Sequence, residues 1–226
     1  MVGTEPGGLV YGSMDGMKEL TSECDKSQVA GISFGGQMHG LVTLDQADEV
    51  IRPAILWNDG RSEKETDYLN QTIGKEKLSA YTANIAFTGF TAPKILWMKR
   101  NEPENFARIC RIMLPKDYLA YRLSGSFCTD YSDASGMLLL DVAHKCWSEE
   151  MMELCGITRK QLPDLYESYE VVGNLKEELA KELGFSQDVK SLPAQGTMPL
   201  PPLEQEPLAR DAATFPWVPA EPSYFQ

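Results

Sequence analysis

The sequence lacks the features of membrane-spanning, secreted and nucleic-acid-binding proteins. It has no apolar run of about 18 residues and no basic N-terminal stretch followed by an apolar one, so neither a spanning helix nor a signal peptide is predicted. Basic residues are scarce: 21 lysines and arginines face 33 aspartates and glutamates, for a formal net charge of -12. Nucleic acids and anionic lipids require clustered basic side chains. We therefore expect no nucleic acid and no membrane as partners, and a cytoplasmic protein.

Cysteine and histidine are also few. The five cysteines are odd in number and include no Cys-x-x-Cys pair, so neither a disulfide framework nor a zinc or redox site is predicted. The two histidines are His39 and His144. We expect reduced thiols and no bound metal.

Extended and helical patterns alternate along most of the chain. Short β-type runs bounded by turn residues dominate the first third, and helical spacing of apolar residues dominates beyond Tyr81. This alternation predicts a mixed α/β fold. The predicted strands are 28–34, 41–44, 52–57 and one near Ile112; the predicted helices are 14–20 with Ser13 as cap, 59–69 with Asn58 as cap, 92–100, 102–108, 116–123, 148–155 and 175–183.

The composition changes near residue 187. Eight prolines follow from Pro193 onward with no hydrophobic period, which is typical of a segment without a core of its own. We expect a folded domain over 1–186 and a Pro-rich tail over 187–226 that is disordered or derived from a purification tag.

Two short segments carry candidate binding residues. Met38 and His39 lie in a glycine-flanked loop after a predicted strand, where a ligand can approach the backbone; a turn histidine is the plainer interpretation. Asn58 and Asp59 follow Trp57, and this mixture of amide, carboxylate and indole suits a polyol. Alternatively, Asn58 and Asp59 only begin a helix.

Other charged residues have a structural interpretation that is at least as good. Lys94 beside Trp97 on a predicted helix is typical of a lysine whose stem lies on the core and whose ammonium reaches water. Lys116 followed by Asp117 fits a helix start. Asp130 and Asp133 fall in a predicted polar loop, 129–136, where aspartate is common, although both could assist a site.

These segments together resemble the FGGY family of carbohydrate kinases. The resemblance covers about 14–184, and the stretch 89–101 is similar to the family's first signature, with Thr91, Lys94 and Trp97 at its fixed positions. The motifs, in the family's order, are QMHG, ILWNDGR, GFTAPKILW, MLPKDYLAYRLSG, TDYSDASG and LDVAHKCW.

The resemblance implies an actin-like ATPase (ribonuclease H-like) α/β fold, of which this chain would supply the first FGGY kinase domain, incomplete. Met38-His39 and Gly89 are similar to the xylulokinase branch. It implies a small-molecule sugar partner, D-xylulose, with Met38 and His39 at the sugar and Asn58 and Asp59 nearby. Two alternatives stay open: another FGGY kinase, acting on ribulose or gluconate, and a non-catalytic sugar-binding or interaction fragment.

The resemblance also implies ATP and Mg2+ as cofactors of the parent family. The family's Asp-x-Gly-Thr hairpin, its Gly-Gly-Asp segment and its second domain have no counterpart in the sequence. We therefore expect a shortened chain that binds neither cofactor and does not phosphorylate sugar alone. A missing first hairpin would leave a sheet edge unpaired, which favours a homo-oligomer.

Overall fold

The structure is a computed structural model that describes residues 3–33, 35–36, 38–193 and 195–196. Most of the predicted Pro-rich tail, 197–226, lies outside the described residues. The first residues of that tail are described and belong to the fold: Val189 is buried, and the strand Lys190–Ser191 pairs in parallel with Gly31–Ile32. The expected domain boundary at 186/187 remains a prediction.

Helices occupy about half of the described chain after residue 60. Several end at glycines with positive φ, among them Gly125, Gly156 and Gly184, because a residue without Cβ adopts the left-handed conformation at low cost. The helices are α1 (Pro6–Leu20), α2 (Glu63–Asp67), α3 (Lys75–Thr82), α4 (Thr91–Asn101), α5 (Pro103–Ala107), α6 (Pro115–Ser124), α7 (Tyr131–Ser135), α8 (Glu149–Cys155) and α9 (Glu177–Leu183), with a π-helical stretch Tyr68–Gly74 joining α2 to α3.

The strands are short, and most of their pairs join segments that are far apart in the sequence. The strands are β1 (Gly3–Thr4), β2 (Gly31–Ile32), β3 (Gly35–Gly36), β4 (Val42–Leu44), β5 (Ala54–Ile55), β6 (Arg111–Met113), β7 (Cys128–Asp130), β8 (Leu140–Asp141), β9 (Cys146–Trp147), β10 (Asp164–Tyr166), β11 (Gly173–Asn174), β12 (Lys190–Ser191) and β13 (Gln195–Gly196). Antiparallel pairs are β1–β5, β4–β6, β8–β9 and β11–β12, and parallel pairs are β2–β12, β3–β13 and β7–β10.

A layer made of β4, β5 and β6 separates two apolar clusters. Successive side chains of a strand point to opposite faces. Ile112 and Leu114 accordingly lie in the largest cluster, which contains α4 and α8, whereas Met113 lies in a second cluster on the other face. The bridge between Leu41 and Ile55 joins β5 to β4. Helix α6 covers the second face through Tyr118 and contributes Leu119 and Leu123 to a third cluster with α1 and α9.

The predicted helices near 92, 102, 116, 148 and 175 and the strands near residues 42 and 112 are confirmed. The first helix was predicted too short: it begins at Pro6, and Ser13 lies inside it. The helix after Trp57 is capped by Asp59 and not by Asn58. In the predicted loop 129–136, Asp130 caps the short helix α7 by accepting a hydrogen bond from the Asp133 N–H at 3.2 Å.

The sequence pattern predicts no strand at Gly3–Thr4, yet β1 pairs there with β5. Within the described ranges, every helix is too short or too polar to cross a bilayer.

Replacing Leu78 by alanine tests the importance of the largest cluster. Leu78 is fully buried in α3, so the truncation should lower the free energy of unfolding by about 2–5 kcal/mol, measured by urea denaturation. Leu20→Ala is the matched control, because Leu20 is 52% exposed on α1 and its loss should change stability by roughly 0.5 kcal/mol or less. If both variants lost the same free energy of unfolding, the assignment of Leu78 to the core would be wrong.

Candidate functional site

The strand pairing brings three segments to one end of the β4–β5–β6 layer. His39 lies just before β4, and Trp57 lies just after β5, which runs antiparallel to β4 through the Leu41–Ile55 bridge. Strand β6 is also antiparallel to β4, with Met113 opposite Val42, so α6 begins at the same end. The candidate site is built from these three segments.

The imidazole of His39 is held between Phe90 and Gly136. Its ring centroid is 4.8 Å from that of Phe90. A Cβ added to Gly136 would overlap the imidazole, so the ring fits in this position only because residue 136 is glycine. His39 itself has φ 65°, a conformation that is costly for a residue with a side chain, and the Thr91 hydroxyl donates to its carbonyl at 3.3 Å.

Burial lowers the pKa of His39 below its usual value of 6.5, and the charge of Lys94 adds to this effect. The backbone of Gly136 lies close enough to oppose the shift, but among the described residues no hydrogen bond of good geometry reaches the buried Nδ1. A half-buried, mostly neutral imidazole can either donate or accept a hydrogen bond.

Asp59 is buried and bound to Arg61. Its carboxylate accepts from the Arg61 backbone N–H at 3.0 Å and forms a two-point ion pair with the guanidinium, with distances of 3.0 and 2.7 Å. These hydrogen bonds lower the pKa of Asp59, so it stays ionised. The Arg61 guanidinium in turn stacks 4.9 Å from the ring centroid of Trp97. Asn58 and Trp57, by contrast, are exposed.

The loop 87–90 connects the two predicted binding segments. Phe90 contacts His39, while a Cβ at Gly89 would lie 3.0 Å from the Trp57 carbonyl oxygen. Lys94 fixes this loop: its ammonium donates to the carbonyls of Thr88, Gly89 and Phe90, at 3.2 Å for the first and 3.0 Å for the last. The expectation that Lys94 reaches water is wrong, since the side chain is fully buried and burial lowers its pKa to about 7.

A buried cluster of four charged residues lies behind the His39 segment. The Lys116 ammonium is 2.6 Å from Asp117, 2.9 Å from Asp130 and 3.1 Å from Asp133. Burial alone would lower the pKa of Lys116, but the three carboxylates raise it. Burial raises the pKa of Asp117 and brings that of Asp133 to about 6, against the attraction of Lys116.

The structure therefore brings Met38, His39 and the segment Trp57–Asp59 to one end of the layer. Their roles toward a sugar remain predictions. Sequence reasoning missed Phe90 and Gly136 as the residues that hold the imidazole, and it treated Lys116 as part of an ordinary helix start. Two features of the sequence could have indicated these roles: the glycine that ends TDYSDASG, and the charged pair inside the otherwise apolar stretch MLPKDYL.

The described residues do not fit a magnesium ion. In the ranges that the structure covers, no group of three or more histidine, cysteine or acidic side chains is arranged to hold a metal ion. The three close carboxylates of Asp117, Asp130 and Asp133 surround an ammonium instead. We assign no phosphoryl-transfer step to these residues.

A family model for the N-terminal domain of FGGY carbohydrate kinases matches residues 8–194. The chain belongs to this family. Among curated relatives, the xylulose kinase of Lactococcus lactis is 48% identical over 163 residues, and that of Escherichia coli is 44% identical over 170 residues. These matches cover 72% and 75% of this chain but 32% and 35% of the relatives. The chain thus spans about a third of their length.

Solved structures of sugar kinases have a similar fold. A "xyloylose kinase" from Brucella ovis has a TM-score of 0.75 and 39% identity, covering 81% of this chain and 37% of that one. A gluconate kinase from Lactobacillus acidophilus has a TM-score of 0.81 and 25% identity, covering 86% and 39%. The structural neighbours are sugar kinases of the actin-like ATPase fold, so the predicted fold class is confirmed.

The charged cluster predicts an unusual pH dependence of stability. The pKa of Asp133 is higher in the folded chain, about 6, than its ordinary value of 3.8, so the folded state holds this proton more tightly and stability falls as pH rises from about 4 to 7. In Asp133→Asn the side chain does not titrate, so this loss of stability with rising pH is absent. Its stability relative to the wild type should grow by up to about 3 kcal/mol over that range, measured by urea denaturation.

Asp45→Asn provides the control of opposite sign. The pKa of Asp45 is lowered, mainly by its hydrogen bond with Arg108, so this carboxylate stabilises the fold above its ordinary pKa and the effect disappears as pH falls. The Asp45 variant should therefore lose stability relative to the wild type as pH rises. A stability difference that does not change with pH for Asp133→Asn would contradict the assigned burial of that carboxylate.

Proposed function

We propose that this chain is the sugar-binding portion of a kinase that phosphorylates D-xylulose with ATP, and that it binds the sugar at His39. The observation that carries the proposal is the geometry of His39. A positive-φ residue costs free energy, and here that cost accompanies an imidazole placed between Phe90 and Gly136 at the end of the strand layer. Met38 and Asn58 lie in the same region and supply further contacts.

The chemistry of the site suits a polyol. Sugar hydroxyls need donors and acceptors together, and aromatic side chains cover the apolar face of a sugar. The site has a mostly neutral imidazole, the exposed Asn58 amide, and the exposed rings of Trp57 and Phe87. Asp59 acts through Arg61, because its carboxylate is already hydrogen-bonded to that side chain. A cytoplasmic location belongs to the same proposal.

D-Xylulose is preferred over other sugars because the relatives at 37–48% identity are named xylulose kinases. D-Gluconate is the second candidate, supported by the TM-score of 0.81 to a gluconate kinase. Titration calorimetry of the 226-residue chain with D-xylulose, D-ribulose and D-gluconate distinguishes these substrates. The proposal expects the tightest binding for D-xylulose.

His39→Ala should abolish measurable affinity for D-xylulose in the same calorimetric experiment, since it removes the imidazole that would bond the sugar. His144→Ala is the matched control: this second histidine is exposed, with 77% of its side chain accessible, and contacts Asp141. It should bind sugar like the wild type. Unchanged binding by His39→Ala would refute the proposed role.

A further inference from the structure

The segment that carries His39 is held by three contacts that only glycine permits. A Cβ at Gly36 would lie 2.9 Å from the Lys116 Cβ, and a Cβ at Gly40 would lie 2.6 Å from the Pro115 Cγ. The third contact is that of Gly136 with the imidazole itself. The first two lie on the start of α6, and the third lies directly after α7. The position of His39 therefore depends on where α6 and α7 lie relative to each other.

The ion pairs of Lys116 join these two helices. Lys116 lies in the first turn of α6; Asp130 caps α7, and Asp133 lies within it. The ammonium bonds Asp130 at 2.9 Å and lies 3.1 Å from Asp133, inside a region where all three side chains are at most 4% exposed. Helix α7 has only five residues. A helix of that length is not stable by itself, so its position is set by its cap and its tertiary contacts.

We propose that Lys116 is a positioning residue for the sugar site: its ion pairs with Asp130 and Asp133 hold α7 so that Gly136 fixes the imidazole of His39. The effect on sugar affinity rests on the proposed function above. The effect on the imidazole does not, because it concerns only this chain's own residues. A sugar hydroxyl bonded to His39 requires a defined ring position, so a displaced ring weakens binding.

The test follows His39 by NMR, because the chain has only two histidines. In Lys116→Met, α7 loses its ion pairs, Gly136 no longer confines the ring, and water reaches it. The pKa of His39 should then move up toward the ordinary value of 6.5, while the His144 resonances stay as in the wild type. The affinity for D-xylulose should fall by about tenfold or more, the equivalent of one lost hydrogen bond.

A second variant covers the case in which Lys116→Met does not fold, since that change leaves three buried carboxylates without a cation. The double variant Asp130→Asn, Asp133→Asn keeps a side chain that can cap α7 and leaves Asp117 to neutralise Lys116. It removes the charge of both links to α7, and it should shift the pKa of His39 in the same direction. The control is Lys18→Met, which breaks an exposed ion pair with Glu182 and should change neither readout.

The outcomes separate the two proposals. If the wild type does not bind D-xylulose, the proposed function fails, yet the His39 titration still decides whether Lys116 positions the ring. If the folded Lys116 variant, or the folded double variant of Asp130 and Asp133, leaves the His39 titration unchanged, the positioning role is wrong. If the titration moves while wild-type affinity for D-xylulose is retained, the link between ring position and binding is wrong.

Discussion

The structure around the site depends on one buried ammonium group. Lys116 has no exposed side-chain surface, and a lone charge in such a place would cost far more free energy than a domain can supply. Three carboxylates from α6, from the end of β7 and from α7 therefore converge on it. Moving any one of these groups away would leave another buried charge without a partner. The three elements that carry them therefore keep fixed positions relative to one another.

This arrangement favours a defined geometry more than stability. One ammonium cannot balance three ionised carboxylates, and burial, together with the neighbouring charge of Asp130, raises the pKa of Asp133 to about 6. Buried ion pairs often contribute little net stability compared with apolar packing of the same volume. Their directional contacts, however, allow few alternative positions. A short helix such as α7, which could not hold its position by apolar contacts alone, benefits most from such a constraint.

The sequence predicts the elements better than it predicts the site. Helices α4 and α6 and strand β4 follow from apolar periodicity, which is local. The glycine-flanked His39 and the polar group after Trp57 also stand out in the sequence. What the sequence does not show is pairing at a distance: Lys116 and Asp130 are 14 residues apart. Their contact exists only because the chain turns back between α6 and β7.

The two buried lysines show how much the partners of a charge matter. Lys116 faces three carboxylates, which raise its pKa, whereas Lys94 donates to backbone carbonyls, and burial, only partly offset by the charge of Asp59, lowers its pKa to about 7. A neutral amine has two hydrogen atoms for the three carbonyls of the loop 87–90, so deprotonation leaves one of them without its donor. Lys94 holds Phe90, and Lys116 acts through Gly136. The imidazole of His39 therefore lies between two segments, each fixed by a buried lysine, and the one fixed by Lys94 is the more sensitive to pH near neutrality.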